Sequence, residues 1–227
     1  MEELKKYLEQ YHVKKFAKGE IILCQGEAAR CAYVIKRGVI KTYNITTQGE
    51  EKPLSFDIQM EIFPLAWVFD KAPRSMYYYE AFTDVELYCV PKEDIVEFLQ
   101  KDHGVLSGYF DYFISRCLNF QLQVNALEQS KAASKVLNTI HFLCLRFGKD
   151  VKPHVVKIQL PLTQQDLANF MGLTRETTGI ELKKLQRQGI LTYQRQSYLV
   201  HTDKLDALLD EDYDRGMLTN NQIEIIA

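Results

Sequence analysis

Arg175 and Glu176 stand side by side in "GLTRETTGIELKKLQRQGIL", which runs from Gly172 to Leu191. A guanidinium offers a two-pronged donor to O6 and N7 of guanine, and a carboxylate accepts from N4 of cytosine. Placed together in the first turn of a helix, the pair suits readout of G·C pairs in a major groove, where the N-terminal residues of a recognition helix meet base edges. A plainer role competes, because a glutamate in a first turn is favoured by the helix dipole whatever it faces. The surroundings favour the first reading, since Lys183, Lys184, Arg187 and Arg195 follow closely. Other chemistries lack their residues. No histidine occurs between His12 and His103, and His141, His154 and His201 are scattered. No HExxH pair, Ser/His/Asp arrangement or glycine-rich phosphate loop is present, so neither an enzyme nor a metal site is expected. The five cysteines (Cys24, Cys31, Cys89, Cys117, Cys144) form no Cys-x-x-Cys pair. They are expected to be reduced, small apolar residues.

The elements that must position Arg175 and Glu176 are legible around them. Thr163 is a good N-cap, and Asp166 completes a capping-box pattern. Leu167, Phe170 and Met171 give that helix an apolar face, and Gly172 suits a left-handed turn after it. Thr174 caps a second helix whose inward side is read as Ile180, Leu182 and Leu185. Two helices about a short glycine turn make a helix-turn-helix. Thr163, Gln164 and Thr174 suit phosphate contacts, which set register, and Thr178 and Lys183 join the DNA-facing set. "ILTYQRQSYLVHT" reads as two strands, a wing that brings Arg195 to the backbone. Charge is segregated to match. Residues 131–201 hold 11 Lys/Arg against 4 Asp/Glu, while 1–130 hold 15 against 19 and 202–227 hold 2 against 7. The positive segment alone invites a polyanion, which makes double-stranded DNA the expected partner.

Upstream, short runs rich in Val, Ile, Tyr and Phe ("EIILC", "CAYVIK", "VIKTYNI", "PLSF", "YYYEAF", "VELYCV") recur between turn residues from Gly19 to Pro91. That spacing predicts an antiparallel sandwich or small barrel, followed by a short helix at 92–101. A long helix comes next. Leu106, Phe110, Phe113, Cys117, Phe120, Val124 and Leu127 alternate steps of four and three, the a/d seam of a coiled-coil dimer. Residues 131–148 read as another amphipathic helix, and "KDVKPHVVKIQL" as a loop and a strand. The organisation is α+β: a β-barrel at 1–103, a dimerisation helix at 104–131, and a winged helix-turn-helix with an acidic tail at 132–227. No apolar run approaches the roughly 18 residues of a membrane span, and the charged N-terminal helix is no secretory signal. The expected location is the cytoplasm.

This order of parts resembles the Crp/Fnr family of bacterial transcription regulators over residues 14–210. The resemblance rests on "KGEIILCQGE", "AYVIKRGVIKTY", "EIFP" and "LTQQDLANFMGLTRETTGIELKKLQRQGIL". It implies a cyclic-nucleotide-binding-like jelly-roll barrel, a homodimer, a two-fold-symmetric DNA site and RNA polymerase as a further partner. Arg175 and Glu176 match the family's base-reading pair, but Ile180 stands where many members have another base-reading arginine. A distinct consensus is therefore expected. The effector region departs further. Glu61 matches the family's ribose-binding glutamate, yet Met60 replaces the glycine before it. Arg74 and Ser75 resemble the phosphate-binding pair, but sit about one residue out of register. Tyr77, Phe120 and Gln121 put bulk where the adenine would lie. Cyclic AMP is not the expected effector. A flatter or more apolar ligand, or no obligatory ligand at all, remain as alternatives, and the cysteine-liganded iron–sulfur branch lacks its N-terminal cysteine cluster. A third alternative, of another class, is a ligand-binding interaction module that reads no DNA.

Overall fold

The computed structural model describes residues 2–101 and 103–212, so the acidic tail from 213 onward lies outside the described residues. The chain divides into two compact units, Met1–Asp111 and Tyr112–Ala227. The division falls inside the long helix.

The first unit runs α1 (Glu2–Leu8), β1 (Val13–Phe16), β2 (Ile21–Leu23), β3 (Ala32–Arg37), β4 (Ile40–Ile45), β5 (Glu51–Asp57), β6 (Ile62–Phe63), α2 (Leu65–Val68), β7 (Tyr78–Ala81), β8 (Val85–Val90), α3 (Lys92–Lys101) and the start of α4 (His103–Glu128). Its strands form two antiparallel four-stranded sheets, ordered β1-β8-β3-β6 and β2-β7-β4-β5. The sheets are open, so the expected barrel is a jelly-roll sandwich. β3 shows why its sequence is apolar without a break. Successive side chains point to opposite faces, and both faces are covered. Ala32 and Val34 join Leu4, Leu8, Ile95 and Leu99 from α1 and α3, while Tyr33 and Ile35 join Leu23, Ile40, Phe63 and Tyr79.

One expectation about the cysteines is overturned. Cys31 and Cys89 form a disulfide, with Cα atoms 5.5 Å apart. Pairing of Tyr33 with Cys89 and of Ala32 with Val90 sets the two cysteines diagonally across neighbouring strands, within the reach of the bond. Cys24, Cys117 and Cys144 are free.

The second unit continues with α5 (Ala132–Phe147), β9 (Gly148–Lys152), β10 (Val155–Ile158), α6 (Gln164–Met171), α7 (Arg175–Arg187), β11 (Leu191–Gln194), β12 (Ser197–His201) and α8 (Thr202–Asp212). Residues 148–158 are a hairpin, where a loop and a single strand were expected. It extends the wing into one sheet ordered β11-β12-β10-β9. α5 packs against α6, α7 and α8, and Val136, Ile140 and Leu143 of α5, Leu167 and Phe170 of α6, Leu182 and Leu185 of α7, and Leu205 of α8 are buried in this unit, with Phe142 stacked on Phe170 at 6.2 Å.

Along α4 one stripe stays uncovered. Leu106, Phe110, Phe113, Cys117, Phe120 and Val124 are exposed and Leu127 is half-buried, whereas Asn119, Gln123 and Ala126 are buried. Large apolar residues in a continuous exposed stripe signal a surface that associates.

Candidate nucleic-acid interface

The helix-turn-helix forms as its capping residues dictate. At the start of α6, Thr163 Oγ1 accepts from the Asp166 amide at 3.1 Å, and the Asp166 carboxylate accepts from the Thr163 amide at 2.8 Å, a complete capping box. Gly172 closes α6 in the left-handed conformation, φ 66°, where a side chain is disfavoured. Thr174 then caps α7 by accepting from the Thr177 amide at 3.1 Å. A Cβ on Gly179 would meet Gln164 Oε1 at 3.3 Å, so the glycine allows α6 to lie close over α7.

Both threonine hydroxyls expected to touch phosphate are occupied in these caps. Thr163 Oγ1 donates to Asp166 Oδ2 at 2.6 Å, and Thr174 Oγ1 to Thr177 Oγ1 at 2.8 Å. The donors left for an anion are the first amides of each helix, which have no intrahelical partner.

The two helix starts and the wing surround a concavity of about 710 Å³, lined by Thr163, Gln164, Gln165, Arg175, Tyr193, Arg195 and Gln196. It brings together Thr163, Gln164, Arg175 and Arg195 from the expected set. Gln165, Tyr193 and Gln196 were not expected. Gln165 adjoins Gln164 at the same helix start, and Tyr193 receives a hydrogen bond from Gln164 Nε2 at 3.1 Å, a tertiary contact without a sequence signal. Tyr193 stacks on Tyr198 at 5.8 Å. Burial pushes the Tyr198 phenol up to about 12. The wing turns through Arg195 and Gln196, between paired Gln194 and Ser197. Arg195 has φ 53°, a left-handed conformation that costs a residue with a side chain about 1 kcal/mol.

Arg175, Glu176, Lys183 and Arg195 are all exposed. Lys184 is bound to Glu181 at 2.7 Å. Among the described residues Arg175, Lys183, Arg187 and Arg195 have no carboxylate partner, so this face carries uncompensated positive charge. Two assignments on α7 are corrected. Thr178 is fully buried and points with Leu182 and Leu185 into the core, so its side chain does not reach DNA. Ile180, read as inward, is exposed, because two residues along a helix turn the side chain about 200° from Leu182.

The expected effector residues are divided between the units. In the first, Glu61 is buried, and its carboxylate accepts from the Ile58 amide at 2.9 Å. Met60 is also buried and takes φ 71°, a conformation a glycine would enter freely. Arg74 donates to the Gly26 carbonyl at 3.0 Å, and Ser75 Oγ to the Tyr77 carbonyl at 2.7 Å. Arg74 thus holds the 24–27 loop by its side chain, and Ser75 by its backbone, its amide donating to the Glu27 carbonyl and its carbonyl accepting from the Gly26 amide, each at 2.8 Å. Between the sheets, Phe63 stacks on Tyr33 at 5.3 Å and on Tyr79 at 4.8 Å. Phe120 and Gln121 lie on α4 in the second unit. Among the described residues no cluster of His, Cys, Asp or Glu could hold a metal.

Comparison with known proteins finds two domain families in the chain: a cyclic nucleotide-binding domain at residues 13–102 and a Crp-like helix-turn-helix domain at 139–210. The HTH-type transcriptional regulator ArcR of Staphylococcus epidermidis is 27% identical over 86% of this chain and 84% of its own. The global nitrogen regulator of a Synechocystis strain is 25% identical over 83% and 84%. Among solved structures, FixK2 from Bradyrhizobium japonicum superposes with a TM-score of 0.72 at 20% identity, covering 87% of this chain and 96% of that one.

Proposed function

The chain belongs to the Crp/Fnr family of transcription regulators, and on that footing we propose that two copies, in the cytoplasm, read one palindromic operator. Each copy reads a G·C pair with Arg175 and Glu176. The observation that carries this reading is the concavity at the helix-turn-helix, where Arg175, Arg195 and two helix starts meet in a positively charged hollow. Phosphates on its walls would fix register, and the start of α7 would enter the groove. Pairing through the uncovered stripe of α4 supplies the two-fold axis, and two half-sites about 34 Å apart would then face two recognition helices. RNA polymerase is the further partner that the family resemblance implies.

The sensor unit supports an input other than cyclic AMP. Met60 stands in the glycine position, Arg74 and Ser75 are engaged with carbonyls of their own unit, Gly26 and Tyr77, and aromatic rings fill the space between the sheets. Any effector acts by binding one arrangement of the dimer better than the other, a difference of about 1–3 kcal/mol in typical cases. The test is selection of bound duplexes from a random DNA library, without added ligand, near physiological salt. A palindromic consensus with a G·C pair in each half is expected. Salt-sensitive binding blind to sequence would contradict effector-free readout and direct the search to a ligand of the sensor unit. Absence of duplex binding in any condition would favour a module that docks protein alone.

A further inference from the structure

Ile180 is the large apolar residue that α7 leaves outside, 49% exposed, while Leu182 and Leu185 of the same helix are buried. Its neighbours on the helix surface are Glu176 one turn before it and Lys183, Lys184 and Arg187 after it. An isolated isoleucine ringed by charges is too small a patch to hold a protein partner, which needs a contiguous apolar area of several hundred square ångströms. It lies on the face that carries Glu176 and Lys183, and its side chain can neither donate nor accept a hydrogen bond.

We infer that Ile180 is a base-reading residue that recognises the C5-methyl group of a thymine, so that each half-site carries a T·A pair beside the G·C pair. The inference rests on the proposed operator reading and adds a second letter to it. Ile180 follows Arg175 by five positions, a rise of about 7.5 Å along the helix, so with the start of α7 in the groove the thymine lies within a few base pairs of the guanine met by Arg175. Among the natural pairs only thymine presents an apolar group to the major groove. Against cytosine the isoleucine would cover the N4 donor, and against guanine the O6 and N7 acceptors, leaving polar groups desolvated and unpaired. The same side chain therefore selects thymine and rejects G·C at that step.

Deoxyuridine pairs as thymidine does but lacks the methyl group, so it isolates the contact. Each thymidine of the operator recovered by selection is replaced in turn by deoxyuridine, and binding of the full-length protein is measured by fluorescence anisotropy. One symmetry-related position is expected to lose about fourfold in affinity per half-site, about 15-fold when both halves are changed, the cost of one buried methyl group. The variant Ile180→Ala is expected to bind thymidine and deoxyuridine operators equally. Alanine at an exposed helical position keeps the fold and favours the helix. Discrimination that persists in Ile180→Ala, or that occurs at no position for the native protein, would overturn the inference while leaving the operator reading standing. Failure to recover any consensus would overturn both.

Discussion

Replacing Phe113 by aspartate is expected to split the dimer without unfolding the protomer. Phe113 keeps 43% of its surface exposed, in a stripe with Phe110 at 60% and Val124 at 56%. An enclosed aromatic side chain buries about 200 Å², so about 85 Å² is left for a partner to cover. At about 25 cal/mol per Å², loss of both copies removes about 4 kcal/mol, about a thousandfold in dimer Kd. Two carboxylates brought together at the axis would add repulsion and desolvation. Sedimentation velocity at micromolar concentration reads the outcome directly. The native protein should run as a dimer and Phe113→Asp as a monomer, with circular dichroism and melting of the protomer preserved because Phe113 belongs to no buried core. Cys117 gives an independent readout, since it is exposed at a seam position that faces its counterpart in a parallel two-stranded pair. Mild oxidation should link native dimers covalently, and Cys117→Ser should abolish the link. An aspartate variant that sediments as the native dimer would refute the seam.

Three further outcomes are expected. Arg175→Ala should cost about 1–3 kcal/mol on the selected operator and relax preference at one base pair; equal weakening on every sequence would make Arg175 a phosphate contact. In denaturant without reductant, three thiols (Cys24, Cys117 and Cys144) should react, and five after reduction. Reduction should also lower the melting temperature, because a bond across 58 residues restrains the unfolded chain by about 4 kcal/mol; five reactive thiols before reduction would rule the bond out. Burial holds His141 below its ordinary value of 6.5, so the unfolded chain takes up that proton first as pH falls. Its contribution to the second unit's stability is full above about pH 6.5 and is lost below it. Melting at about pH 7.5 and about pH 5.5 should differ less in His141→Gln than in the native protein, and an unchanged difference would remove His141 as the cause.

The parts set by local rules were legible in the sequence. The uncovered stripe of α4 shows because a heptad repeat declares its own face, and the helix-turn-helix because Thr163, Asp166, Gly172 and Thr174 each satisfy a local backbone demand. The phase of α7 was misread although its signal was present. Thr178 lies four residues before Leu182 and seven before Leu185, a single helical face, and Ile180 lies off it. Apolar character was taken for inwardness where spacing was the better guide. The Cys31–Cys89 bond was beyond sequence reasoning, since it depends on the register of β3 against β8. The pairing of Tyr193 with Gln164 and the engagement of Arg74 and Ser75 with the 24–27 loop are likewise tertiary facts between distant segments.

The most direct test of the operator reading is the affinity of the full-length protein for the selected palindrome, for the same duplex with one half-site scrambled, and for a fully scrambled duplex, at one near-physiological salt concentration. The palindrome is expected to bind at least about a thousandfold tighter than the scrambled duplex, with the single half-site far weaker than the whole because only one recognition helix is engaged. Equal affinity for all three would show a sequence-blind polyanion contact and contradict the reading of bases by Arg175 and Glu176.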